Sequence, residues 1–296
     1  MVKSKNVKNI FGKSKGDIIF SVVNYLFFIL LAFIMLYPFI IVVKDSFTVY
    51  KNVGGVLAPE FSSAAFRFVF AKKEIYSSFL LTVFVVISAT TLHLIVTAMG
   101  AYVLSRKYLK GRNVIHIYIL ITFLFSGGLI PTFLLIKELQ LIDSILVYII
   151  PSATSAYNLI IAKNFFMTIP DSLEESAKLD GAGHFRIFLS IYVPLSLPIL
   201  AVLALWVAVG KWNDWFTGEL YIRNPDLLLI QNILKQMLIS ESSVNDPSGQ
   251  GKNELFALSE NIKMATIIIA TIPVLLIYPF VQKYFIQGVM LGSVKE

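Results

Sequence analysis

The sequence predicts an all-α integral membrane protein: six transmembrane helices, with a helix–turn–helix in one loop on the cytoplasmic side. Three observations lead there. Of 296 residues, 57% are hydrophobic and 15% charged, whereas an average soluble domain is roughly a quarter charged. A core of this size cannot hide that much apolar side chain from water. The apolar residues also gather in runs long enough to cross a bilayer, and the charges lie between the runs. The formal charge of +7 suits contact with anionic lipid headgroups. The basic residues form no stripe, so nucleic acid is not the predicted partner. Cysteine is absent, which excludes disulfides, thiolate catalysis and thiolate-bound metals. His93, His116 and His184 show no metal-ligand spacing.

The six runs cover 18–43, 79–104, 114–136, 145–162, 189–209 and 264–281. The first follows Lys3, Lys5, Lys8, Lys13 and Lys15 as a signal peptide would. It is too long for one, and no small-residue cleavage site follows Tyr37-Pro38, so it is read as a retained helix. The fourth is diluted by Pro151 and by Ser, Thr and Asn. The third holds Gly127, Gly128 and Pro131, which serve either to break the helix and expose backbone to a pathway or to permit close helix packing. Lys and Arg set the orientation. The short loop 105–113 carries Arg106, Lys107, Lys110 and Arg112 without an acid, whereas the loop after run three has Lys137 against Glu138 and Asp143. This assigns the tail 1–17, the loops 105–113 and 163–188, and the tail 284–296 to the cytoplasm. Segments 44–77 and 211–262 are assigned outside, and 18–283 forms one membrane domain. Within the outer segment 211–262, Leu227 to Ile239 reads as an amphipathic helix and 240–254 as a polar loop.

No run holds an acid, or a Lys or Arg away from its ends; His93 is the one ionisable group clearly inside a run, His116 standing near the start of run three. A charge at mid-bilayer costs at least about 2.5 kcal/mol and persists where function needs it. Ion-driven carriers show such charges, so their absence argues against a self-energised carrier. His93 is read as a hydrogen-bonded packing residue. No P-loop supplies energy either. Gly12-Lys13-Ser14 lacks its first glycine, since Val7 stands there, and Gly251-Lys252 is followed by Asn253.

The most informative stretch is 169–198, IPDSLEESAKLDGAGHFRIFLSIYVPLSLP. Pro170 breaks what precedes, and Ser172 with Glu175 has capping-box spacing, which predicts a helix start. Gly181 is a left-handed stop. Ala182 to Ile191 restarts a helix, and Pro194 and Pro198 mark the entry to run five. The small residues at the tip admit a close backbone approach, and Glu175 and Asp180 offer negative charge to a basic partner.

This stretch resembles the EAA loop of ABC importer permeases: Glu-Ala-Ala, three residues, Gly, nine residues, Ile, one residue, Leu-Pro. Here stand Glu175-Ser176-Ala177, Gly181, Ile191 and Val193-Pro194, with every spacing kept; Ser176 and Val193 are the departures. Phe125 to Pro131, the run Trp212-Asn213-Asp214-Trp215 and the tail from Tyr284 to Gly292 are similar to the maltose-type carbohydrate permeases, most of all the branch for oligosaccharide or polysaccharide fragments. The resemblance implies that 169–190 is the coupling loop. Glu175, Ser176, Ala177, Asp180, Gly181 and Ala182 would then touch a separate ABC ATPase dimer, which binds ATP and Mg; this chain would hold no cofactor and no metal and would have no catalytic residue. It also implies a second, homologous permease subunit, an extracellular solute-binding protein, a carbohydrate cargo and a bacterial plasma membrane. The tail 284–296 would reach the ATPase interface.

For the pathway, Trp212, Asn213, Asp214 and Trp215 combine aromatic faces with planar polar groups, as sugar recognition requires. The two Trp read more readily as interfacial anchors and packing groups, and Asn213 and Asp214 as pathway residues. An ABC permease for another solute, and a membrane enzyme or structural membrane protein, remain as alternatives.

Overall fold

The computed structural model describes residues 15–53, 56–242, 261–276 and 279. The tail 284–296, most of the tail 1–17 and the loop residues 243–254 lie outside them. Contacts divide the chain into two units, 1–66 with 249–268 and 67–248 with 269–296.

In the first unit, α1 (Lys15–Ser46) is one continuous helix. Its most apolar stretch has a mean hydropathy of 3.0 and buries nothing within the protein, as suits a helix whose solvent is lipid. A hairpin follows: β1 (Thr48–Val53) pairs antiparallel with β2 (Val56–Phe61), Thr48 opposite Phe61. The sequence reading placed no strand here. Phe47 closes the hairpin base by stacking on Phe61 (5.4 Å) and Phe66 (4.7 Å).

After α2 (Ala64–Ala71), the second unit is built around α3 (Lys73–Ser105), run two as a single helix. Its buried stripe includes Ser78, Thr82, Val85, Ala89, His93, Thr97 and Ala101. These recur every three or four residues and are small or polar. In lipid that is the packing face, because small side chains let neighbouring backbones approach. Against it lie α7 (Ala156–Phe166) and α11 (Leu197–Trp212). Phe166, Ile187, Tyr192 and Leu203 fill the core between them.

The other runs are broken. Run three becomes α4 (Arg112–Leu124) and α5 (Leu129–Glu138), bent by 112°. Gly128 sits at the break with φ 84° and ψ 179°, a conformation open essentially to glycine alone. Run four becomes α6 (Leu146–Ile149), a 3₁₀ turn (Ile150–Ser152) and α7. Run five enters through α9 (His184–Ile187), a π-helical turn (Phe188–Tyr192) and α10 (Val193–Leu195), then turns by 79° into α11. Next come α12 (Phe216–Tyr221) and α13 (Ile230–Ser242). α13 starts later than the expected helix and takes in residues 240–242 of the expected loop. Run six is described as α14 (Asn261–Leu276). Among the described residues two helices are long and apolar enough to span alone, or up to four spans if each bent pair is one. Among the described residues the runs are therefore largely helical, with breaks in runs three, four and five.

His93 mends the break in run four. It is 2% exposed. Its Nδ1 donates to the Ser152 carbonyl (2.7 Å), an acceptor at the break, and its Nε2 accepts from the Asn158 amide (2.9 Å). The packing role expected of His93 thus has a definite purpose. His93→Leu leaves both partners unpaired, at about 1–3 kcal/mol for each buried group. Thermal unfolding of the detergent-solubilised protein should show a marked fall in Tm, and Asn158→Ala a smaller one.

Candidate coupling site and translocation face

The stretch 169–198 folds as a helix, a tight reversal and a second helix. α8 (Asp171–Leu179) begins one residue before Ser172, with Pro170 at its cap and no side-chain cap bond. The expected capping box does not form. Its C-terminus does follow the sequence. Gly181 has φ 79°, its N–H donates to the Lys178 carbonyl (3.0 Å), and the Ala182 N–H donates to the Ala177 carbonyl (2.9 Å). These paired bonds, one nested in the other, make the left-handed helix stop that glycine permits at no steric cost.

The underside of α8 turns on Glu174, the acid beside the one the EAA spacing selects. It is 5% exposed. It forms an ion pair with Arg106 and another with Lys178 at 2.8 Å. The hydroxyls of Tyr108 (3.3 Å) and Tyr192 (3.4 Å) also donate to it. Arg106 lies one residue beyond the end of α3, its guanidinium 4.7 Å from the Tyr102 ring centroid and 4.2 Å from that of Tyr192. Its remaining donors go to the Tyr102 carbonyl (3.2 Å) and Ser105 Oγ (2.9 Å). One turn earlier on α8, Lys107 bonds Asp171 at 2.6 Å and, through that hydrogen bond and its charge, holds the Asp171 carboxyl below the usual carboxylate range. The loop 105–111 and α8, assigned to one side by the charge rule, are therefore in contact. At the opposite end of α3, the Ile230 N–H donates to Thr82 (2.9 Å), and Asp143 accepts from the N–H groups of Arg223 (3.0 Å) and Asn224 (2.8 Å).

The outer face of the tip is free. Glu175, Ser176, Asp180 and Gly181 are exposed, and Ala177 and Ala182 are half-buried against the core. Large apolar groups accompany them: Leu173, Phe185 and Leu179, the last 90% exposed. A cleft of about 180 Å³ between the two helices is lined by Asp180, Ala182, Arg186 and Ser190, among others. A soluble tip would not leave these apolar groups in water, so this face fits a protein partner.

The pathway candidates scatter. Trp212 is buried, donates from Nε1 to the Ala270 carbonyl (3.0 Å) and meets Phe79 edge-on. Asp214 is held by Lys211 (2.9 Å) and by the Thr217 N–H and hydroxyl. Asn213 bonds back to the Val209 carbonyl, and Trp215 stacks under the Lys235 ammonium at 3.9 Å. Gly127 and Gly128 form the break between α4 and α5.

A different face escaped the sequence reading. Phe123 of α4, Tyr157 of α7 and Trp206 of α11 stack as a ladder, with centroids 5.8 and 5.9 Å apart and planes tilted 22° at each step. All three are exposed. Spaced along the same α4 face as Phe123 are His116 and Arg112. They lie within electrostatic reach of Lys163 of α7, and Arg112 touches Met167 at 3.2 Å. Among the described residues the Arg112 and Lys163 cations form no ion pair with a carboxylate, and Arg112 Nε and His116 Nε2 are buried without a hydrogen-bond partner. No sequence spacing announces a ladder drawn from three separate runs.

Comparison with known proteins resolves the family. The family described as binding-protein-dependent transport system inner membrane component matches residues 107–291. This chain belongs to that family. It is 43% identical to the polygalacturonan/rhamnogalacturonan transport system permease protein YtcP of Bacillus subtilis (strain 168), across 94% of this chain and 98% of that one. Protein LplC of the same organism is 37% identical, across 95% and 97%. Among solved structures, a bacterial ABC transporter involved in the import of the acidic polysaccharide alginate superposes with a TM-score of 0.82 at 30% identity, covering 94% of this chain and 100% of that chain. The chain is thus a multi-pass ABC transporter permease, and the α8 tip belongs to a transport component.

Two outcomes follow for the permease. Removing one partner of a buried ion pair costs about 3–5 kcal/mol, whereas replacing both by apolar groups is close to neutral. Glu174→Ala should therefore lower Tm sharply, and Arg106→Met combined with Glu174→Leu should restore most of it. The Asp171 carboxyl is depressed when folded, so its bond to Lys107 contributes above the unfolded pKa of about 3.9 and is lost as pH falls through the lower folded value. In ¹³C NMR of carboxyl-labelled Asp, Lys107→Ala should move the Asp171 midpoint upward.

Proposed function

We propose that this permease is one of two membrane subunits of an ATP-driven bacterial importer, and that its cargo is an oligosaccharide bearing uronate carboxylates. The observation that carries the coupling role is the α8 tip: small, exposed, flanked by Leu179 and Phe185, and fixed to the bundle from beneath. An ATPase dimer binding ATP and Mg docks there, on the cytoplasmic side, through Glu175, Ser176, Ala177, Asp180, Gly181 and Ala182. That orientation puts both termini in the cytoplasm. A second permease completes the pore, and an extracellular solute-binding protein delivers cargo to the opposite end. The contact of loop 105–111 with α8, and of Asp143 with 223–224, supports this sidedness.

The cargo class rests on the two relatives whose names carry acidic polysaccharides and on the ladder with its cations. Ring faces stack on the apolar sides of sugars, and the Arg112 and Lys163 cations suit carboxylates, with the His116 ring as a polar neighbour. Asn213, Asp214 and the Gly127–Gly128 break are separate pathway candidates in this reading, with Trp212 and Trp215 as packing groups.

Uptake of galacturonate oligomers and of maltodextrins into proteoliposomes holding the whole transporter tests the cargo. The acidic oligomers should be preferred. Tyr157→Ala should slow their uptake about two- to tenfold, the worth of about 0.5–1.5 kcal/mol for an aromatic contact. Equal uptake of neutral oligomers, or no effect of Tyr157→Ala, contradicts the cargo assignment.

A further inference from the structure

The covalent route from the α8 tip to the membrane is indirect. α8 joins α9 through Gly181, Ala182 and Gly183, and nothing stands within 4 Å of a side chain built at either glycine. Beyond α9 come the π-helical turn and the 79° bend before α11. A push on the tip would be lost in that path if the chain alone carried it. The stiff route runs sideways. Glu174 on α8 grips Arg106 at the end of α3, both nearly buried. Tyr192 of the π-turn touches both, its hydroxyl on Glu174 and its ring over Arg106. The extra residue of a π-turn re-aims its side chains, and here it brings Tyr192 to the junction.

We propose that Arg106 and Glu174 are positioning residues that latch α8 to the end of α3. Motion of the ATPase-facing tip is thereby delivered directly to the central helix of the bundle, with Tyr192 tying in the entry to α11. This rests on the coupling role of α8 proposed above. Neither residue touches ATP or cargo; both act by making α8, the end of α3 and the π-turn one rigid body.

The test uses the complete transporter in proteoliposomes, with its second permease, ATPase dimer and cargo-loaded binding protein. Glu174→Gln keeps the shape and removes the charge. The latch predicts, in whatever complex assembles, continued ATP hydrolysis and a fall on the order of tenfold in cargo imported per ATP, within the range of typical coupling energies. A merely structural role would lower the amount of complex and leave that ratio unchanged; an unchanged ratio overturns the proposal. If Glu174→Gln fails to assemble, Arg106→Met with Glu174→Leu refills the site with apolar groups, and the ratio should still be low. A normal ratio in that double variant likewise overturns the latch. Gly181→Asp separates the two claims. If it uncouples transport while Glu174→Gln does not, the tip is the docking site and the latch is wrong. If Gly181→Asp has no effect, the coupling role of α8 falls and the latch falls with it.

Discussion

Glu174 carries a negative charge into a largely buried site, 5% exposed, and that constraint organises the end of the bundle around it. A buried carboxylate needs its charge balanced and its lone pairs filled. Arg106, Lys178, Tyr108 and Tyr192 meet the need from four places: the end of α3, α8 itself, the loop after α3 and the π-turn. Each partner fixes the position of the element that supplies it. Arg106 in turn lies against the rings of Tyr102 and Tyr192, which meet each other edge to face. The result is a junction of defined geometry in a region whose backbone connections are glycines and bends.

The rest of the second unit obeys the rule that lipid, unlike water, does not reward apolar contact. α3 buries Thr82, His93, Thr97 and its alanines and leaves Phe84, Ile87 and Ile95 outside. Of these buried polar groups, His93 pairs with Ser152 and Asn158 and Thr82 with Ser78 and Ile230, whereas the Thr97 hydroxyl has no partner among the described residues. Where a run breaks, the freed backbone is satisfied locally, or the break itself depends on Gly128.

Legibility in the sequence follows the same physics. The apolar runs were visible because spans need length and lack charge. The glycine stop at Gly181 was visible because a left-handed residue has few candidates. The EAA spacing drew attention to Glu175, which is exposed, while its neighbour Glu174 does the bracing; the spacing fixes the helix and not which acid turns inward. Arg106 was counted as a topology signal, and its ion pair depends on a contact across 68 positions that no local pattern encodes. The bends were half legible. Gly127, Gly128 and Pro131 admitted breaking or packing equally, and the geometry of Gly128 resolves that choice. The aromatic ladder stayed hidden because Phe123, Tyr157 and Trp206 come from three runs and look there like ordinary membrane aromatics. The paired strands 48–53 and 56–61 are not announced by the sequence, because TVYKNV and VLAPEF lack a clean alternation of apolar and polar residues.

The central claim is that α8 and the end of α3 move together. This chain lacks cysteine, so with cysteine-free partner subunits spin labels attach only at Val103→Cys and Ser172→Cys, both exposed positions. Pulsed electron–electron resonance on the whole transporter can compare the nucleotide-free state with one trapped by a non-hydrolysable ATP analogue. The account predicts one label-to-label distance distribution, unchanged between the two states. A distribution that shifts with nucleotide would show α8 sliding against α3, and would contradict it.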